Sequence, residues 1–178
     1  MTQSPTSSPE MTSILEPIRR QLGFIPNLLD ELKKNPAVLR TYLQGQQALA
    51  SGMLSPREQQ AVQLRVSVMN QCTYCQAAHR WLGKQVGLTG EEIQTIERGE
   101  VPPKDTDLAG VIHATSLLFE RKGWLNPETL QMLERQGVSR EKLYEIIAYI
   151  GLKTISNYIN HVAHTPIDSQ FTSSGSQV

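Results

Sequence analysis

The sequence predicts an all-α protein, and three observations carry that prediction. Helix-capping signals recur along the chain, glycines fall where helices should stop, and the apolar residues between these marks repeat at helical spacing. No segment alternates convincingly with a period of two, and no Asn-Gly pair marks a hairpin.

The elements follow in order. Apolar spacing places the first three helices at 14–22, 27–33 and 36–51. Ser55-Pro56-Arg57-Glu58 is a capping box with Pro at the first helical position, and it opens a helix over 56–70. Val62 to Met69 holds several β-branched residues, but Val62, Val66 and Met69 share a helical face behind that cap. A helix over 72–86 follows. Thr89-Gly90-Glu91-Glu92 is a second capping box and opens 90–98. Leu108, Val111, Ile112, Thr115, Leu118 and Phe119 form one stripe of a helix over 106–122. Asn126-Pro127-Glu128 caps 127–136. Tyr144, Ile147, Ala148, Gly151, Leu152 and Ile155 form the stripe of 140–163, which is expected to break near Asn157. Gly52, Gly87, Gly99, Gly123 and Gly137 supply the stops.

Composition narrows the function. Seventeen Lys and Arg balance seventeen Asp and Glu, so no global field favours a nucleic acid or an anionic membrane. An apolar share of 39% in 178 residues is enough for one core and one domain, expected at 14–167. The flanks 1–13 and 168–178 are rich in Ser and Thr and read as flexible tails. The N-terminal flank lacks the basic start and apolar run of a signal peptide, and no apolar run is long enough for a membrane span. A cytoplasmic protein is expected, where thiols are normally reduced. The segment 98–107, with Pro102 and Pro103, is the best internal joint.

Two cysteines, Cys72 and Cys75, carry the chemistry. A Cys-x-x-Cys at a helix start puts two thiols within disulfide reach, and the helix dipole favours thiolate there. His79 lies four residues after Cys75 and shares its helix face. An imidazolium would lower the thiol pKa, and a neutral imidazole could remove its proton. Such a dithiol suits redox work, a metal site or plain core packing. A metal would need a fourth ligand from His161 or His164. No βαβ pattern surrounds the pair, so a thioredoxin fold is not indicated. A weak internal repeat, offset by 85 residues, lays Cys72, Cys75 and His79 over Asn157, Asn160 and His164, and Gln60 over Glu145.

The stretch Leu54-Ser55-Pro56-Arg57-Glu58, then Leu64 to Cys75 with Asn70-Gln71-Cys72-Thr73-Tyr74-Cys75, then His79, resembles the signature of the carboxymuconolactone decarboxylase superfamily. Within it the match is to the AhpD-like alkylhydroperoxidase and peroxidase-related branch. Phe24 to Leu29 and Asn157 to His161 are similar to that branch as well. The resemblance implies an AhpD-like helical bundle assembled as a trimer or hexamer. It implies thiol-dependent peroxidase chemistry without a cofactor or metal. Cys75 would attack the hydroperoxide, Cys72 would resolve the product, and His79 would belong to the proton relay. The reductant would be a dithiol, such as a lipoyl-bearing or thioredoxin-like protein.

The family relay places a glutamate twelve residues before the first cysteine, where this chain has Gln60, which cannot accept a proton. Glu58 is assigned to its capping box. Glu145, facing Gln60 in the repeat, is the candidate substitute. Gln60 also favours a non-catalytic alternative, a redox-sensing or structural oligomer with a reversible Cys72–Cys75 bridge. A metal-binding module is the third reading.

Overall fold

The computed structural model describes residues 9–103 and 106–172. Among the described residues ten helices follow one another: α1 (Pro9–Leu22), α2 (Asn27–Leu32), α3 (Pro36–Leu49), α4 (Pro56–Met69), α5 (Thr73–Gln85), α6 (Gly90–Glu97), α7 (Thr106–Glu120), α8 (Pro127–Arg135), α9 (Arg140–Ala163) and α10 (Ser169–Thr172). No strand occurs among the described residues, so the all-α prediction holds. The expected boundaries lie within two residues of those found, except that α1 starts at Pro9 rather than Ile14. None of the described helices is long and apolar enough to cross a membrane.

The capping signals act as read. Ser55 and Thr89 each close a reciprocal capping box, with Glu58 and Glu92. The Glu58 carboxylate also pairs with Lys142 of α9 at 2.9 Å, which ties the start of α4 to the start of α9. Each box satisfies helix N–H groups that would otherwise lack partners.

α4 is the centre of the bundle. It packs against α5, α6, α7 and α9. The run from Ala61 to Ser67 is buried on every face, so this helix shows no clean amphipathic stripe in sequence. Gln71, at φ 57°, lets the chain turn sharply from α4 into α5. The stripe of α7 is buried as expected, with Val111, Ile112 and Thr115 fully enclosed.

Three expectations are corrected. First, the apolar stripe read on α9 is mostly its outer face: Tyr144 and Ile147 are exposed, as are Tyr158 and Val162 farther along. The buried face carries Leu143, Ile146, Tyr149, Lys153, Ser156, Asn157 and Asn160. Polar residues occupy the core side because a polar site lies there. Second, α9 does not break at Asn157. It runs 24 residues unbroken, whereas the segment it was laid over turns at Gln71 between α4 and α5. The two proposed repeats therefore differ in architecture. Third, the C-terminal tail does not begin at 168. Asp168 and Phe171 are buried. The Phe171 ring sits 5.6 Å from Phe24, 5.9 Å from Tyr74 and 5.7 Å from Trp81. The outer parts of both expected tails, 1–8 and 173–178, lie outside the described residues.

Phe171→Ala should lower unfolding stability by roughly 3 kcal/mol, the usual cost of emptying an aromatic site. Urea denaturation measures this, and unchanged stability would mean that α10 is not docked.

Candidate active site

The site forms where the start of α5 meets the middle of α9. Cys72 is the N-cap residue of α5 and Cys75 lies in its first turn. Both are free and buried, Cys75 to 1% exposure. The Cys72 thiol donates a hydrogen bond to Cys75 Sγ. Asn160 Nδ2 donates a second at 3.1 Å. Asn157 lies beside them, and its Oδ1 accepts from Asn70 Nδ2 at 2.8 Å.

One residue at this site was missed in sequence. Lys153 of α9 is 1% exposed and lines the same cavity as Cys75. Its ammonium is the positive charge beside the thiol pair. The spacing Ile146, Tyr149, Lys153, Asn157, Asn160 places it on the buried face. That was a legible signal, because a lysine on a core face needs an opposite charge.

These contacts order the two thiols. The hydrogen bond from Cys72 chiefly, then Lys153 and the two Asn amides, hold Cys75 well below the ordinary thiol range, to about 5, against the opposing effect of burial. Donating that hydrogen bond, with burial and the neighbouring thiolate, pushes Cys72 up. Cys75 is therefore the thiol favoured to ionise, and Cys72 the one favoured to keep its proton. Burial pulls the Lys153 ammonium toward neutrality, but Cys75, Tyr42 and Cys72 outweigh it and raise its pKa.

His79 lies 2.9 Å from Gln60 Oε1 through Nδ1. With the amide oxygen toward the ring, Nδ1 carries the proton and Nε2 keeps the lone pair. Burial, and then Lys153, push the imidazole well below its usual range, so it is neutral. Gln60 therefore orients His79 without adding a charge beside it.

Glu145 is not brought to His79. Its carboxylate accepts from the backbone N–H of Met53 at 2.6 Å and of Leu54 at 3.3 Å, and it clamps the loop before α4. A Cβ at Gly52 would collide with it. It is a loop anchor and not a substitute relay base. His161 is exposed and stacks on Tyr158, and His164 is the exposed left-handed cap of α9. Among the described residues no group of three His, Cys, Asp or Glu side chains is placed to hold a metal.

A cavity of about 180 Å³ gives access to the sulfur. Its walls are mainly Leu22, Leu28, Leu29, Leu43, Leu82 and Phe171, and its reactive lining is Cys75, His79 and Lys153, with Tyr42 and Tyr74. The Tyr74 hydroxyl donates to Asp168 Oδ2 at 2.6 Å and accepts from the Leu28 N–H at 3.1 Å. Asp168 in turn accepts from the Asn27 N–H. Tyr74 thus pins α2 and the C-terminal segment over the cavity.

Alkylation of Cys75 by iodoacetamide should reach half its maximal rate near pH 5, because thiolate rather than thiol reacts. Half-reaction near pH 8.5 would contradict the assigned environment. Glu145→Ala should leave that profile unchanged while costing about 1–3 kcal/mol of stability.

Comparison with known proteins follows this geometry. Residues 36–116 match the model of the carboxymuconolactone decarboxylase family. Among curated proteins no sequence matches. The fold is similar to an uncharacterized peroxidase-related protein from Ralstonia eutropha JMP134, described as an alkylhydroperoxidase AhpD core. The TM-score is 0.84 at 18% identity, over 96% of this chain and 91% of that one. An uncharacterized peroxidase-related protein from Silicibacter sp. TM1040 is similar with a TM-score of 0.82 at 18% identity, over 97% and 93%. The debrominase Bmp8, solved as a cysteine-to-alanine variant with 2,3,4-tribromopyrrole, has a TM-score of 0.74 at 17% identity, over 97% and 95%. The family match thus spans α3 to most of α7, and the arrangement of the helices is that of the AhpD-like fold.

Proposed function

We propose that the protein is a thiol-dependent peroxidase that reduces small organic hydroperoxides through a Cys72/Cys75 dithiol–disulfide cycle. The observation that carries this reading is Cys75 lining an apolar cavity, its thiol held well below the ordinary range, with Cys72 one helical turn away. Cys75 attacks the peroxide O–O bond and becomes a sulfenic acid. Cys72 condenses with it to a disulfide and releases water. An external dithiol, lipoyl-bearing or thioredoxin-like, restores both thiols.

The cavity supports the substrate class. Its 180 Å³ is comparable to the roughly 150 Å³ of an apolar cavity that holds benzene. A compact alkyl or aryl hydroperoxide fits that volume and those walls. A second reading has support from the same cavity and from the similarity to a debrominase. In it, the dithiol reduces a small aryl bromide, giving the arene, bromide and the disulfide. Bromide release distinguishes it.

Wild-type protein with a dithiol reductant should consume tert-butyl or cumene hydroperoxide. Cys75→Ser should lose turnover entirely, and Cys72→Ser should perform one reduction per subunit and stop. An absence of wild-type consumption, with the disulfide still forming, would shift the assignment to the redox-sensing alternative.

Assembly as a homo-oligomer is supported by the outer face of α9, where Tyr144, Ile147, Tyr158 and Val162 are exposed, Val162 to 84%. Val162→Asp should reduce the sedimentation coefficient of the wild type. A wild type that sediments as a monomer would overturn this assignment.

A further inference from the structure

We propose that Lys153 is a catalytic residue of this site: its ammonium pairs with the Cys75 thiolate and gives its proton to the departing oxygen. The inference rests on the peroxidase reading for the second role only. The first role stands on geometry.

Lys153 is 1% exposed and lines the same cavity as Cys75 and His79. No carboxylate among the described residues lies within ion-pair distance of it. Asp30 and Glu31 of α2 pair with Lys33 and Lys34, and Glu58 of α4 pairs with Lys142. The ionisable groups that act on the ammonium are Cys72 and Cys75 from α5 and Tyr42 from α3, while neutral His79 shares the cavity. A buried ammonium without a counter-charge is too costly to persist as such. The Cys75 thiolate supplies that counter-charge. Lys153 thus does with a charge what Gln60 cannot do with a proton.

The step balances. The Cys75 sulfur attacks one peroxide oxygen, and an S–O bond forms as the O–O bond breaks. The sulfur loses two electrons to the peroxide, and the departing alkoxide takes the Lys153 proton and leaves as the alcohol. Neutral Lys153 then takes the Cys72 proton. The Cys72 sulfur forms the S–S bond, and the expelled hydroxide takes that proton and leaves as water. The external dithiol reduces the disulfide, and the proton of the re-formed Cys75 thiol returns to Lys153.

The test follows the Cys75 thiolate by its ultraviolet absorbance, in a Cys72→Ser background, for Lys153, Lys153→Met and Lys153→Arg. Lys153→Met should move the titration up into the ordinary thiol range. Its alkylation at pH 7 should then slow about 30-fold, the ratio set by a thiol of pKa near 8.5. Lys153→Arg should keep most of the wild-type behaviour. A folded Lys153→Met that titrates like its parent overturns the ion pair. The proton-donor role is read separately, at a pH where both proteins are fully thiolate. There Lys153→Met should still reduce hydroperoxide more slowly, and equal rates overturn that role. If hydroperoxide is not reduced at all, the peroxidase reading fails while the titration still decides the ion pair. If Lys153→Met does not fold, the reciprocal measurement decides. In Cys75→Ser, the lysine side-chain NMR signal of Lys153 should deprotonate at lower pH than in wild type, and an unchanged titration overturns the pair.

Discussion

An ammonium enclosed in an apolar wall is the constraint on which the rest of the site depends. Lys153 has almost no contact with solvent, so its charge must be met by an opposite charge close by. Among the described residues the groups that act on it are two sulfurs and a phenol, and the most easily ionised is Cys75. The thiolate and the ammonium stabilise each other, and the second cysteine is left protonated. The chemical division between two cysteines on one helix turn comes chiefly from the hydrogen bond between them, and Lys153, 78 positions beyond Cys75 on another helix, adds its charge to it.

The fold exists in a form that makes this meeting possible. α4, buried all round, fixes α5 on one side and α9 on the other. The tight turn at Gln71 starts α5 where Cys72 can cap it. α9 presents Lys153, Asn157 and Asn160 successively to that start, so one continuous helix delivers the charge and the amide donors. The aromatic group of Phe24, Tyr74, Trp81 and Phe171 then covers the cavity from the far side.

Much of the fold was legible because its signals are local. Capping boxes depend on residues three apart, and those of Ser55 and Thr89 formed as read. The cysteine pair and His79 were legible for the same reason, since a helix sets their spacing. What failed was the assignment of faces. On α9 the apolar stripe pointed to Tyr144 and Ile147, yet the core face carries Lys153, Ser156, Asn157 and Asn160. A hydrophobic pattern cannot identify a buried face whose residues are polar for a reason that lies on another helix. The same holds for Glu145. The repeat set it opposite Gln60, but two backbone N–H groups of a loop capture it first. Of that repeat, one pairing has physical content: Asn160 touches Cys75 across the 85-residue offset.

In the proposed cycle Cys75 attacks and Cys72 resolves inside the cavity. The most direct measurement adds one equivalent of cumene hydroperoxide to the reduced protein without any reductant and analyses the products by mass spectrometry. The predicted result is one alcohol per subunit with a Cys72–Cys75 disulfide, and a trapped sulfenic acid on Cys75 in Cys72→Ser. Intact peroxide beside two free thiols, or a sulfenic acid on Cys72 in Cys75→Ser, would contradict it.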